Sequence, residues 1–278
     1  RDPLVINNGI GALEKAEKIE NYYGLEHPLS GQELYDTGIA QAKALGVRIL
    51  DAQVLGVGGF DTFVVKTTEG EFETQSLILA TGSKRAAPKI PGVKEFEGKG
   101  VSYCAICDAF FYRGKDVAVL GNGDFAMHEA KELSNTASTV TIYTNGEEPE
   151  FTPEENISVN TMKIQSVEGD DLVSGIRLAP DVQAQEINGE AGQQVNDFCP
   201  ADGVFIAMGT AGSTEIARQM GAELTEKGNI KVNENMETTI PGLYAAGDCT
   251  GGLLQVAKAV YEGAQAGINA GKYVRSLK

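Results

Sequence analysis

Short apolar runs along the chain stop at small residues and glycine: Ser76 to Ala80 ahead of Thr81-Gly82, Val117 to Leu120 ahead of Gly121-Asn122-Gly123, Gly203 to Gly209, and Gly242 to Asp248 behind Pro241. Uninterrupted apolar segments bounded by turn residues are the pattern of strands buried on both faces of a parallel sheet. Between them lie stretches with helical spacing, Gly31 to Leu45, Phe125 to Asn135, Thr214 to Met220 and Leu253 to Tyr273. The alternation predicts an α/β architecture with doubly wound sheets. The acidic, proline-interrupted tract from Asn145 to Asn156 and the Gln- and Gly-rich tract from Pro180 to Asn196 read as surface loops and hairpin connections. No repeat with a period of about 20 to 50 residues is visible.

Charge narrows the possible partners. The 278 residues carry 39 acidic against 23 basic side chains, a net charge of −16, which repels a phosphate backbone and argues against nucleic acid. The charge is uneven. Lys84, Arg85, Lys89, Lys94, Lys99, Arg113 and Lys115 face only Glu95, Glu97 and Asp108 between Lys84 and Lys115, a balance of +4 against −20 for the rest. Such a neighbourhood can steer an acidic protein or can simply be a solvated set of lysines. No apolar run reaches the roughly 18 residues of a membrane span, so no membrane is expected. Four cysteines are too few for a secreted disulfide framework and suit a reducing, cytoplasmic location. The length accommodates about two domains.

The sharpest chemistry lies in Cys104-Ala105-Ile106-Cys107-Asp108. Two intervening residues let paired thiols close a small disulfide ring while one sulfur stays open to exchange. The competing reading is half of a zinc site, which needs a second set of ligands. Cys199 and Cys249 stand singly and read as small buried hydrophobes, and His27 and His128 are far apart. A carboxylate directly after the second cysteine can move the proton that accompanies thiolate formation, or Asp108 can be a solvated turn residue.

Gly121-Asn122-Gly123-Asp124-Phe125-Ala126 is a G-x-G-x-x-A turn between an apolar strand and a helix, the context in which backbone amides meet a pyrophosphate. Gly121, Gly123 and Ala126 are therefore candidate nucleotide-binding positions. NADPH would call for Arg or Lys after the next strand, and NADH for Asp or Glu. That strand, Thr139 to Tyr143, runs into Thr144-Asn145-Gly146, with Glu147 and Glu148 just beyond. The basic clamp is missing, and the two carboxylates can meet a ribose or belong to a solvated loop.

Six segments in order, IENYYG (Ile19 to Gly24), LSGQEL (Leu29 to Leu34), ATG (Ala80 to Gly82), GVSYCAICDA (Gly100 to Ala109), GNGDFAMHEA (Gly121 to Ala130) and IPGLYAAGDC (Ile240 to Cys249), resemble the low-molecular-weight thioredoxin reductase family. The resemblance spans almost the whole chain. It implies two dinucleotide-binding, Rossmann-like domains, the second inserted in the first: residues 1–86 with 210–278 for FAD, and 87–209 for a pyridine nucleotide and the redox cysteines. It further implies that Gly11, Leu13, Asn21, Thr81, Gly82, Gly247, Asp248, Gln255 and Val256 serve FAD, with Asp248 on the cofactor's polyol and pyrophosphate region. Cys107 would lie nearest the flavin, Cys104 would exchange with the protein substrate, and Asp108 would be the acid/base residue. The implied activity passes electrons from reduced FAD through the dithiol to thioredoxin or a similar small disulfide protein, with NADPH or NADH as donor, in a cytoplasmic homodimer whose nucleotide domain swings.

The chain departs from the family in several places. The strand and G-x-G-x-x-G turn that open the family's FAD domain are absent, so the chain is expected to be a piece of a longer gene product. Thr144-Asn145-Gly146 replaces a basic stretch, Ile10-Gly11 a double glycine, and Leu254 an arginine beside Gln255. Clostridial relatives that take electrons from ferredoxin also lose nucleotide determinants, which makes ferredoxin the alternative donor. The rival from another class is a degenerate, non-catalytic nucleotide-binding protein.

Overall fold

A computed structural model describes residues 2–59, 61–82, 88–180, 197–209 and 212–277. It divides the chain into two units, Arg1–Arg85 with Ala211–Lys278, and Ala86–Thr210.

In the first unit, β1 (Leu4–Asn7) pairs in parallel with β2 (Arg48–Asp51), and α1 (Gly31–Ala44) crosses between them. The start of α1 is written locally: the Ser30 hydroxyl oxygen accepts the Glu33 amide at 3.2 Å, and the Glu33 carboxylate accepts the Ser30 amide at 2.8 Å. This reciprocal cap satisfies donors that a helix start otherwise leaves unpaired. An antiparallel meander follows, β3 (Val54–Gly58), β4 (Phe63–Thr67) and β5 (Gly70–Thr74), with Phe63, Val65 and Thr67 alternately buried on β4. The first passage through this unit ends with β6 (Leu77–Leu79).

The second unit opens with β7 (Val101–Ser102) and a single helical turn, α2 (Ala105–Asp108). Next come β8 (Asp116–Leu120), α3 (Asp124–Ser134), β9 (Thr139–Tyr143) and β10 (Ser158–Asn160). An antiparallel sheet follows, β11 (Ile164–Gly169), β12 (Val173–Leu178) and β13 (Phe198–Pro200), and then β14 (Gly203–Ile206). The parallel sheet has the order β10-β9-β8-β14-β7. Its central strands are apolar on both sides because both faces are covered. Val167, Ile176 and Leu178 of the antiparallel sheet share one core with Ala118, Leu120 and Val204, while α3 carries Phe125, Ala126, Ala130 and Leu133 in buried positions and packs on β8 and β9.

The chain returns to the first unit with α4 (Ser213–Gln219), then β15 (Leu243–Ala245), which pairs in parallel with β6, and α5 (Val256–Ser276). Ala266 and Ala270 of α5 pack with Met236, Tyr244 and Ala246. Helical spacing predicts this helix from Leu253, but it starts at Val256. Gln255 is extended (φ −141, ψ 148) and its amide donates to the Leu253 carbonyl at 3.1 Å, a tighter turn than a helix permits, which leaves Leu253 and Leu254 exposed. The loop from Asn145 to Asn156 lies in the description, whereas residues 181–196 of the second predicted loop lie outside it, as do Lys84 and Arg85 of the basic tract. Among the described residues no helix is long and apolar enough to cross a membrane, and no group of three or more His, Cys, Asp or Glu side chains is placed to hold a metal ion.

Candidate functional site

In the second unit, β7 delivers Ser102 directly ahead of the cysteine turn. Cys104 is disulfide-bonded and 1% exposed; the side chain of Cys107, inside α2, lies outside the described residues. The Ser102 hydroxyl accepts the Cys104 amide at 3.1 Å and donates to the Asp108 carboxylate at 2.6 Å, so one side chain fixes both ends of the turn. From α3, the Glu129 carboxylate accepts the Ala105 amide at 2.6 Å. Glu129 is 1% exposed and its second oxygen has no hydrogen-bond partner. Burial pushes its carboxyl up to about 7. Ser102 and Glu129 were not legible as site residues: a serine two positions before a cysteine is a common turn, and only the packing of α3 brings Glu129 to α2.

The surface after α2 is apolar. Phe110 and Phe111 are 73% and 68% exposed and meet edge to face, with the Arg113 guanidinium 5.8 Å from the Phe110 ring centre. Lys115 of the same basic tract lies 5.5 Å from the Tyr112 ring. Burial, with the nearby Asp108 charge, raises the Tyr112 phenol.

Gly121, Gly123 and Ala126 form the turn from β8 into α3. A side chain at Gly121 would collide with the Ala207 carbonyl and the Ala126 methyl, so the strand–helix approach demands glycine there. The backbone suits a dinucleotide, but the side chains beside it are acidic. The Glu150 amide donates to the Asn122 carbonyl at 2.7 Å, and its carboxylate lies 4.0 Å from where a Gly123 Cβ would stand. Lys131 pairs with Glu154 at 2.6 Å, tying this acidic tract to α3. Ionised carboxylates accept and cannot donate, so Glu150 and Glu154 offer nothing to the 2′-phosphate of NADPH, and Lys131 beside them is already paired with Glu154.

In the first unit, β6 and β15 lie side by side in parallel, so the Thr81-Gly82 and Gly247-Asp248 turns leave the same sheet end, where open α/β sheets bind ligands. Gly247 adopts φ +83, ψ −149, which L side chains rarely take. Its amide donates to Glu262 at 2.8 Å and its carbonyl accepts Lys258 at 2.9 Å; Lys258 and Glu262 themselves pair at 2.9 Å, and Thr250 donates to Glu262 at 2.9 Å. Lys258 and Glu262, also missed from sequence, lock the turn that carries Asp248. The Asp248 carboxylate has no hydrogen-bond partner among the described residues, and a Cβ at Gly82 would enter open space. The Asn21 amide donates to the Gln255 carboxamide at 2.9 Å, beside Val256 at the head of α5. A free carboxylate acceptor, side-chain amides and an open glycine fit the hydroxyls and ring edge of FAD.

Thr81 is differently engaged. Its amide donates to the Ser213 hydroxyl at 3.0 Å while its own hydroxyl oxygen accepts the Ser213 amide at 2.8 Å, so the residue clamps the head of α4. Gly11 and Leu13 lie in the short 3-10 turn Gly11–Lys15, where the Leu13 carbonyl accepts the Ala16 amide at 2.9 Å. Cys249 is buried, its thiol pushed up to about 11 chiefly by desolvation.

Comparison with known proteins gives a consistent set of matches. The family model described as pyridine nucleotide-disulphide oxidoreductase matches residues 6–263. The chain is 35% identical over 251 residues to a thioredoxin reductase of Aquifex aeolicus, covering 86% of this chain and 74% of the relative. It is 30% identical over 291 residues to one of Listeria monocytogenes, covering 100% and 88%. Among crystal structures, the atypical thioredoxin reductase of Desulfovibrio vulgaris Hildenborough superposes with a TM-score of 0.84 at 36% identity over 99% of both chains. The ferredoxin-flavin thioredoxin reductase of Clostridium acetobutylicum gives 0.64 at 28% identity, over 99% of this chain and 98% of that one.

Proposed function

Because this chain belongs to the pyridine nucleotide-disulphide oxidoreductase family, and within it to the thioredoxin reductases, we propose that it is an FAD-dependent thiol-disulfide oxidoreductase whose Cys104-Cys107 pair reduces a disulfide in thioredoxin or a similar small protein. The observation that carries this reading is the Cys104 disulfide set on a turn whose far end holds a hydrogen-bonded carboxylate, Asp108.

FAD, when bound by Asp248, Asn21, Gln255 and Gly82, supplies a two-electron carrier. The chain's own groups handle sulfur and protons. Two electrons break the Cys104-Cys107 bond, and Asp108 passes a proton to one sulfur as the pair becomes a thiol and a thiolate. The Cys104 thiolate then attacks the partner's disulfide, forming a mixed disulfide and expelling one partner thiolate; Cys107 resolves it, restoring the disulfide and releasing the reduced partner. Cys104 is buried in the conformation described, so attack requires the cysteine turn to become exposed, as a swinging domain would allow. Exposed Phe110 and Phe111 with Arg113 offer an apolar, cationic surface beside the pair, suited to an acidic partner.

The experiment is anaerobic reduction of the purified, flavin-loaded protein followed by mixing with oxidised thioredoxin. Formation of thioredoxin dithiol in the wild type and its loss in Cys104→Ser and Cys107→Ser are expected; full activity in either variant would refute the reading. A pyridine nucleotide is the first donor to try. The acidic groups beside the glycine turn favour a second reading in which reduced ferredoxin replaces it, and flavin bleaching with NADPH, NADH or reduced ferredoxin separates the two. The family resemblance also carries the expectations of a homodimer, which light scattering reads, and of a cytoplasmic location.

A further inference from the structure

We propose that Glu129 is a positioning residue for the redox turn, holding it through the Ala105 amide and tuning, by its own charge, how readily the Cys104 disulfide is reduced. The inference rests on the functional reading above and extends it to a residue outside the cysteine motif.

The argument is geometric. Ala105 is the residue joined to Cys104 through its peptide bond, and its amide is committed to the Glu129 carboxylate at 2.6 Å. The nitrogen that the carboxyl contacts is joined to the Cys104 sulfur through the Cys104 backbone and Cβ, in a region where Glu129 and Cys104 are both 1% exposed and solvent screens their interaction weakly. Ser102 spans the same turn, from the Cys104 amide to the Asp108 carboxylate. Glu129 thus adds a second hold at the cysteine end, on the Ala105 amide next to the Cys104 amide that Ser102 already holds, and a disulfide that opens there re-forms in a prearranged geometry.

The charge state adds a second influence. A buried carboxylate oxygen without a partner is costly when ionised and tolerable in the neutral acid, and the unpartnered oxygen of Glu129 is in that position. The neutral form still accepts the Ala105 amide. When Glu129 ionises, its charge opposes negative charge on the reduced sulfurs. The other titratable groups among the described side chains of the elements packed around it are Cys104 and Asp108 at α2, Asp116 at the outer end of β8, Tyr143 on β9, and Asp124, His128, Lys131 and Glu132 on α3 itself; Lys131 is paired with Glu154, and Glu132 acts in the same direction as burial.

The test is the thiol–disulfide equilibrium of the purified, flavin-loaded full chain against glutathione, quenched by alkylation and counted by mass spectrometry, at pH 6 and pH 8.5. Glu129→Gln keeps an acceptor for Ala105 and cannot ionise. At pH 6 it is expected to match the wild type within about two-fold, and at pH 8.5 to favour the reduced pair by about ten-fold, the change that one pK unit of like-charge interaction produces. Glu129→Ala removes the anchor and is expected to shift the equilibrium at both pH values; if it fails to fold, the Gln variant decides alone. Parallel behaviour of Glu129→Gln and wild type at both pH values overturns the proposal, and so does an equal displacement at both, which is what a packing defect would give. A wild-type pair that does not exchange with glutathione at all overturns the functional reading as well, so the two failures are distinguishable.

Discussion

The Ser102 hydroxyl donates to the Asp108 carboxylate at 2.6 Å across a single helical turn. The strand residue that leads into the cysteine segment therefore also fixes the acid that follows it, and sulfur and proton chemistry share one rigid anchor.

Removing the acid is expected to slow the reaction without disturbing the flavin. Asp108→Asn should lower turnover of a protein disulfide by about 100-fold, the usual contribution of a placed general acid, with an unchanged flavin spectrum. Ser102→Ala leaves the carboxylate but frees it to rotate, and about ten-fold is expected. Steady-state rates with oxidised thioredoxin report both; undiminished turnover in Asp108→Asn removes it from the mechanism.

Glu129 also makes stability pH-dependent. Its carboxyl is raised to about 7 by burial, so the folded state binds a proton that the unfolded state releases above the ordinary carboxyl range. The sign follows from linkage: stability falls as pH rises from about 4.5 to about 7, by on the order of 3 kcal/mol, and is flat above that as far as this group is concerned. Urea titrations between pH 5 and pH 8 should show this slope in the wild type and its absence in Glu129→Gln. Equal slopes would mean that the buried carboxyl ionises freely.

The Lys258–Glu262 pair beneath the Gly247-Asp248 turn is largely buried, at 16% and 11% side-chain exposure. Lys258→Met strands the Glu262 carboxylate with only neutral donors, and a loss of about 3 kcal/mol is expected. Replacing both, with Lys258→Met and Glu262→Leu, should recover part of that loss because no buried charge remains. Thermal melts of the three proteins measure the coupling; a double variant no more stable than the single one speaks against it.

Cys249 should be chemically silent. With its thiol pushed up to about 11, only about one molecule in 1,000 carries the thiolate at pH 8. Native protein treated with iodoacetamide at pH 8 is expected to leave Cys249 unmodified, whereas denatured protein is labelled there. Rapid native labelling would show that the strand end opens on the timescale of the reaction.

Much of this was readable from the chain alone. The apolar run before Gly121 fixed a strand in the middle of a sheet, the place for a segment apolar on both sides, whereas the run before Thr81 forms β6 of a two-stranded sheet and leaves Ile78 37% exposed. The C-x-x-C-D spacing and the G-x-G-x-x-A turn act over neighbouring residues, so their chemistry is local and visible. The capping pair Ser30 and Glu33 is equally local, but the structure first showed it. Only the tertiary structure decided the rest. Glu129 meets Ala105 across 24 positions, Asn21 meets Gln255 across 234, and Thr81 meets Ser213 across 132. The order of strands in the sheets sets those encounters. A buried carboxyl, a helix start displaced to Val256 and a glycine turn bordered by Glu150 each depend on what packs alongside, and residue type alone carries no record of that.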